Sequence, residues 1–248
     1  MSDKQWFETW FDTPYYHLLY SDRNDNEAKG FISRLMAYLS LPAGSHVLDV
    51  GCGKGRHSRY LAKLGYTTTG IDLSCHSIGE AQKDTLPNLH FQVWDMRKVY
   101  KPDAFDLVVN LFSSFGYFDR EQDDQDTIHA MAGDLVPGGT LVMDYMNPEC
   151  VVKNMQSRAI VNRGDIQFHI KKKLEGSFIK KEIEFLADGQ DRRYEEHLKL
   201  IKPEQFRKLF TEAGLTIIHV FGNYDLEPFD PSKSTRQVIV AVKSPHPA

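Results

Sequence analysis

Gly51, Gly53 and Gly55 alternate with Cys52 and Lys54 directly after the apolar run Val47-Leu48-Asp49-Val50, and Arg56 follows. Glycine has no Cβ and tolerates positive φ, so such a loop lets backbone touch a ligand. Residues from Arg56 to about Leu64 read as a helix whose first free N–H groups face the loop. Strand, glycine loop and helix together suit a nucleotide-like cofactor, and the spacing narrows which one. A dinucleotide site shows Gly-x-Gly-x-x-Gly, but here Arg56 stands where its third glycine would be. A P-loop continues Gly-Lys-Ser/Thr, whereas Lys54 is followed by Gly55. A bare turn with no guest would have no use for three alternating glycines, each costly to order.

Further polar residues stand at the ends of apolar runs. Tyr66–Ile71 reads as a short strand ending in Asp72, and Leu73-Ser74 opens a helix with Ser74 as N-cap. A carboxylate offers acceptors and no donor, which suits the vicinal hydroxyls of a ribose. Proteins that bind NAD use the same device, so Asp72 by itself leaves the cofactor open. Leu89–Trp94 ends in Asp95-Met96, an acid beside an apolar residue that could hold and cover an adenine or simply cap a turn. Ala104–Asn110 reads as a buried strand leading into Leu111-Phe112-Ser113-Ser114-Phe115-Gly116-Tyr117-Phe118, and Thr140–Tyr145 follows the turn Pro137-Gly138-Gly139.

In this order and rhythm, these segments resemble the class I S-adenosylmethionine-dependent methyltransferases. The resemblance is carried by Val47–Gly55, Asp72, Asp95-Met96, Phe105–Phe112 and Pro137-Gly138-Gly139, and it covers roughly Asn26–Tyr145 and Pro203–Val242. It implies S-adenosyl-L-methionine as cofactor, bound by Gly51, Cys52, Gly53, Gly55, Arg56, Asp72, Leu73, Asp95, Met96, Asn110, Leu111 and Phe112. In related enzymes the N-terminal segment folds over the cofactor. Tyr16 and Arg23 are therefore expected to reach the site, the arginine toward the methionyl carboxylate.

The elements that must position these residues form an α/β, Rossmann-like doubly wound sheet of seven strands. That sheet is expected to be mostly parallel, with an antiparallel last strand. Residues 1–25 hold Trp6, Phe7, Trp10, Phe11, Tyr15, Tyr16 and Tyr20, an aromatic density that suits a packed lid and not a disordered tail. Glu27–Leu39 carries Phe31, Ile32, Leu35, Met36 and Leu39 at helical spacing. Helices are also expected near Ser74–Lys83, Asp119–Leu135 and Pro203–Ala213, and strands at Leu215–Phe221 and Arg236–Val242. The core thus comprises 26–149 and 202–248. Between them, 150–201 has strand periodicity (Ile166, Phe168 and Ile170 alternating with polar residues) and hairpin signals at Glu175-Gly176-Ser177 and Asp188-Gly189. This antiparallel β-meander is expected near the carboxyl ends of the sheet, as a substrate cover. Lys171–Lys173, Lys180 and Lys181 could meet an anionic substrate or simply solvate an edge face.

The 248 residues, 41% hydrophobic, can bury one substantial core. A formal charge of −4 gives no general attraction to nucleic acid. Cys52, Cys75 and Cys150 have no metal-ligand spacing and suit a reducing compartment, and no long apolar run or leader is seen. The expectation is a cytoplasmic monomer or homodimer acting on a small-molecule methyl acceptor, with no metal, nucleic-acid or membrane partner.

Methyl transfer from a sulfonium needs alignment of nucleophile, methyl and sulfur and exclusion of water, and little covalent help. Phe112, Phe115 and Tyr117 could line the transfer pocket, with Tyr194 and His197 on the substrate side; each could equally be an ordinary packing residue. His197, Tyr194 and His57 are candidate proton acceptors, none with a decisive claim. Asn110-Leu111-Phe112-Ser113 departs from the Asp/Asn-Pro-Pro-Tyr/Phe of DNA amino-methyltransferases. The layout resembles glycine/sarcosine and aminosugar N-methyltransferases, which implies N-methylation of a small amine. O-methylation of a hydroxylated or carboxylate substrate is the alternative, and a non-catalytic cofactor-binding scaffold is the reading from another class.

Overall fold

The structure, a computed structural model, describes residues 5–21, 25–83 and 86–245. Two short helices open the chain, α1 (Trp6–Trp10) and α2 (Pro14–Leu19), followed by α3 (Asp25–Leu39). The core then alternates β1 (His46–Val50), α4 (Arg56–Lys63), β2 (Thr67–Asp72), α5 (Cys75–Ala81), β3 (Leu89–Val93), β4 (Phe105–Asn110), α6 (Glu121–Asp134) and β5 (Leu135–Met146). After α7 (Pro148–Lys153) come β6 (Arg158–Arg163), β7 (Ile166–Glu175), β8 (Phe178–Ala187) and β9 (Gln190–Lys199). The chain closes with α8 (Pro203–Glu212), β10 (Leu215–Phe221) and β11 (Arg236–Lys243). Arg23 lies outside the described residues.

The seven-stranded sheet has the order β10-β11-β5-β4-β1-β2-β3, and only β11 runs against its neighbours. This is the sheet expected from the sequence. Its central strands are apolar on both faces because helices cover both. On β4, Val108 joins a core with Ile128, Met131, Phe206 and Phe210 of α6 and α8, while Leu107 and Val109 join Phe31, Ile32 and Leu61 of α3 and α4. The strand order reverses between β1 and β4, which places the mouth of the glycine loop at the topological switch point where open α/β sheets take ligands.

The meander forms a separate sheet, β6-β7-β8-β9, antiparallel throughout. One face presents Phe168, Ile170, Ile183 and Phe185, and α1 and α2 pack on it through Trp10 and Leu19. The other face carries most of the lysines noted in the sequence, and it is laced with ion pairs: Lys171 with Glu184, Lys173 with Glu182, and Lys180 with Glu175. An anionic substrate therefore has no clear claim on those lysines. The meander is tied to the carboxyl end of the main sheet, where Lys199 N donates to Gly116 O at 2.8 Å and the Tyr145 hydroxyl donates to Lys199 O at 2.5 Å.

Candidate active site

The loop after β1 is anchored to the end of β2 by Gly51 N and Cys52 N, which donate to Ile71 O at 2.8 and 3.0 Å. Gly51 and Gly53 both have positive φ, at 72° and 55°, for different spatial reasons. A Cβ on Gly51 would lie 2.6 Å from Ser114 Cβ, so a neighbouring loop fills that position. A Cβ on Gly53 would meet nothing within 4 Å, so this stretch of backbone faces open space. Cys52 is buried among Ile78, Ala81 and Phe91, and burial pushes its thiol pKa well up. Its side chain is a packing residue, leaving only its backbone at the loop.

Asp72 bridges the two loops at the crest. One carboxylate oxygen accepts from Gly53 N at 2.8 Å and the other from Ser74 N at 2.9 Å. Burial raises its pKa, opposed by those two N–H donors. Leu73 beside it is exposed. The N-terminal segment reaches this point: Asp12 accepts from Ser74 Oγ at 2.6 Å and from His76 N at 3.0 Å. His17 Nε2 lies 3.3 Å from Ser77 Oγ. Its pKa falls to about 4 through burial first, then through Lys54 and His76.

Beneath the loop sits a carboxylate that sequence reading passed over. Asp49, 1% exposed within β1, accepts a 2.5 Å hydrogen bond from Ser58 Oγ. Burial pushes its pKa up to about 6. The only signal in the sequence was an acid inside an otherwise apolar strand. On the β3 side, Asp95 is gripped by Arg97, whose Nε and Nη2 reach it at 3.0 and 2.7 Å. Burial alone would raise the Asp95 pKa, but Arg97 outweighs it and holds it low. Met96 stands at the crest, its Cε 3.5 Å from where a Gly51 Cβ would be.

At the end of β4, Asn110 is fully buried and donates from Nδ2 to Val50 O at 2.8 Å. Its Oδ1 has no hydrogen-bond partner among the described residues. Leu111 is buried in the core on the α3 and α4 side. Phe112 stacks on His57 at 4.7 Å and on Tyr224 at 4.9 Å. The Arg56 guanidinium covers the same ring at 4.8 Å, so Arg56, His57 and Phe112 form one stack on the flank of the crest. Ser114, not singled out from sequence, is the loop residue that meets the glycines, donating from Oγ to Gly51 O at 3.1 Å.

The acceptor-side candidates divide. Tyr117 packs against Trp6 and Phe11 of the N-terminal segment, with centroids at 5.6 and 5.0 Å, and Phe11 in turn meets Tyr16 at 4.8 Å. Phe11 thus links Tyr16 to Tyr117. Tyr20 joins them, 5.0 Å from Tyr16. Burial, then Glu196, Tyr16 and Tyr117 raise the pKa of Tyr20. Phe115 is a correction: it is fully buried against Tyr145 and Phe206, in the core under the sheet. Tyr194 of β9 packs on Trp10 of α1 at 4.5 Å. His197 sits 3.6 Å from Asp119 and 3.3 Å from Glu195 and meets Trp6 at 5.5 Å. Tyr194 and His197 are linked to the same aromatic cluster, through Trp10 to Tyr16 and through Trp6 to Tyr117.

The described residues contain no group of three or more His, Cys, Asp or Glu able to hold a metal ion. No described helix is long and apolar enough to cross a membrane.

A methyltransferase domain family model matches residues 21–220. The chain belongs to this family. It is a class I, S-adenosylmethionine-dependent methyltransferase of the small-molecule type, as its motifs implied. It is 30% identical over 189 residues to a dTDP-3-amino-3,4,6-trideoxy-alpha-D-glucopyranose N,N-dimethyltransferase of Streptomyces venezuelae, covering 73% of this chain and 79% of that one. Among solved structures, the CcbJ methyltransferase of Streptomyces caelestis superposes with a TM-score of 0.78 at 20% identity, over 96% of this chain and 99% of the other. The S-adenosylmethionine-bound amino pentose methyltransferase CalS10 of Micromonospora echinaspora gives 0.70 at 22% identity, over 94% and 98%.

Proposed function

We propose that this methyltransferase alkylates the amine nitrogen of a small acceptor, with an aminosugar as the favoured class. The observation that supports the reading is the aromatic cluster in which Phe11 joins Tyr16 of the N-terminal segment, itself 5.0 Å from Tyr20, to Tyr117 of the loop after β4. Such a cluster offers aromatic faces and phenolic hydroxyls, which suit a polyhydroxylated ring and attract an alkylated ammonium. The similarity to an aminosugar N,N-dimethyltransferase supports the same choice.

The crest fits the cofactor on three counts. Backbone at Gly53 is open to close approach, Asn110 Oδ1 is a buried acceptor awaiting a donor, and Asp72 presents a carboxylate between the two loops. In this reading Asp72 holds the ribose hydroxyls, and Gly51, Gly53 and Asn110 hold the amino-acid end. Asp95 and Met96 flank the base, Asp95 oriented by Arg97. The remaining expected contacts, Cys52, Gly55, Leu73 and Leu111, contribute backbone or packing to the same crest. The bound cofactor supplies an electrophilic methyl carried on a positively charged sulfur. The protein's own part is to orient and enclose. In this reading the N-terminal segment, tied to Ser74 through Asp12 and to the meander through Trp10, serves as a lid that shuts water from the site, and the meander serves as the substrate cover.

The test is release of S-adenosylhomocysteine with a panel of nucleotide-linked aminosugars, glycine, sarcosine, hydroxylated aromatics and carboxylic acids, with mass spectrometry of the product. Turnover of an aminosugar with N-linked methyl is expected. Turnover confined to hydroxylated or carboxylate acceptors would overturn the amine assignment.

A further inference from the structure

Phe112 and Ser113 are consecutive non-glycine residues with φ of 58° and 60°, both in the left-handed region. Side chains are disfavoured there, and such pairs persist only where surrounding structure enforces them. The enforcing groups are on the page. Asp144 of β5 is fully buried, and its Oδ2 accepts from Phe112 N at 2.8 Å and from the Tyr224 hydroxyl at 3.0 Å. Its backbone oxygen accepts from Ser113 N at 3.2 Å. Arg236, at the start of the antiparallel β11, donates from Nε to Asp144 Oδ1 at 2.8 Å and from Nη2 to Ser113 Oγ at 2.8 Å. Asp144 thus satisfies both backbone donors of the left-handed pair, one through its carboxylate and one through its main-chain oxygen, while Arg236 holds the Ser113 hydroxyl and, with Tyr224, fixes the carboxylate.

We infer that Asp144, Arg236 and Tyr224 are positioning residues for the cofactor side of the site, clamping the chain after β4 so that Ser114 is seated on Gly51. Ser114 is the next residue. Its Oγ donates to Gly51 O, and its Cβ occupies the place a side chain at 51 would take. A relaxed Phe112-Ser113 pair, returned to negative φ, redirects the chain and lifts Ser114 from the glycine loop. The clamp therefore sets one wall of the crest without touching the ligand. It is drawn from β5, β11 and the connection before β11, the antiparallel side of the sheet farthest from β2 and β3. The inference is independent of which acceptor the enzyme methylates.

The test uses the full chain, S-adenosylhomocysteine as the calorimetric probe, and hydrogen exchange of the Phe112 and Ser113 amides. Asp144→Asn, which removes one acceptor oxygen and the charge that holds Arg236, is expected to speed exchange at the Phe112 amide about tenfold or more, the Ser113 amide keeping its main-chain acceptor, and to weaken the probe roughly three- to tenfold, the scale of one or two lost hydrogen bonds. Adding Ser113→Gly, which adopts positive φ without help, is expected to bring affinity back to within about twofold of the parent. If Asp144→Asn does not fold, Tyr224→Phe, which removes one donor, is expected to weaken the probe about twofold, again reversed by Ser113→Gly. Unchanged exchange and affinity in the folded variant, or a loss of affinity that Ser113→Gly leaves in place, overturns the inference, because a purely structural defect has no reason to respond to glycine at 113.

Discussion

Substituting Gly53 separates ligand binding from folding, because the two costs come from different surroundings. With φ at 55° and no atom within 4 Å of a built Cβ, Gly53→Ala meets no steric obstacle within the protein itself. The left-handed backbone costs alanine about 1–2 kcal/mol. Stiffening of the unfolded chain offsets about 0.4–1 kcal/mol of that. The net loss is about 1 kcal/mol, which for a chain of this size lowers the melting temperature by roughly 2–4 °C. Binding responds differently. A methyl projecting into space that the cofactor's main-chain contacts must fill should weaken S-adenosylhomocysteine at least about a hundredfold, or about 3 kcal/mol, and Gly53→Val further still. Gly44 provides the control. It has φ of 83°, equally open space, and a place before β1 at the far end of the sheet. Gly44→Ala should reproduce the thermal loss and leave affinity alone. Gly51→Ala should do worse on stability than either, since its Cβ would press on Ser114 at 2.6 Å and add about 1–3 kcal/mol of overpacking. Calorimetric titration and differential scanning on the four proteins make the comparison. If Gly53→Ala binds S-adenosylhomocysteine as tightly as Gly44→Ala does, the cofactor does not lie against this loop, and the assignment of the crest fails.

Two other perturbations address the lid. Glu196 accepts from Trp10 Nε1 at 2.7 Å and from the Tyr20 hydroxyl at 2.8 Å, and it lies 3.3 Å from Lys181 Nζ. Glu196→Ala removes the acceptor shared by all three and should weaken docking of α1 and α2 by about 2–4 kcal/mol. Limited proteolysis should then cut within residues 5–21 while the core resists; equal protection in variant and parent would refute the latch. His17, with its pKa lowered from 6.5 to about 4, is held neutral in the folded state. The unfolded chain binds the proton more readily, so this contribution is complete above pH 6.5 and lost as pH falls toward 4. Allowing for the partial exposure of the ring, it amounts to about 1–2 kcal/mol. Denaturation between pH 4 and 7 should show a shallower acid loss in His17→Gln than in the parent, and parallel curves would remove His17 from the account.

The amino-acid sequence determined the sheet, its connectivity and the location of the crest. Those features are local: apolar runs of strand length, a glycine loop between strand and helix, and an acid at the next strand end are written in adjacent residues. The meander was legible for the same reason, since alternation and hairpin turns need only neighbours. Tertiary structure decided which side chains face the site. Phe112 and Phe115 lie three residues apart in one loop, yet one is stacked on the flank with His57 and Tyr224 and the other is buried against Tyr145 and Phe206. No pattern in the loop distinguishes them, because the left-handed turn at 112 and 113 that parts them is imposed by Asp144 and Arg236, distant in sequence. Asp49 and Ser114 went unnoticed in the same way: an acid in a strand or a serine in a loop is unremarkable until Ser58 or Gly51 is found opposite it. The sequence determines what each segment becomes. The direction of a side chain depends on partners that only the folded sheet brings within hydrogen-bonding distance.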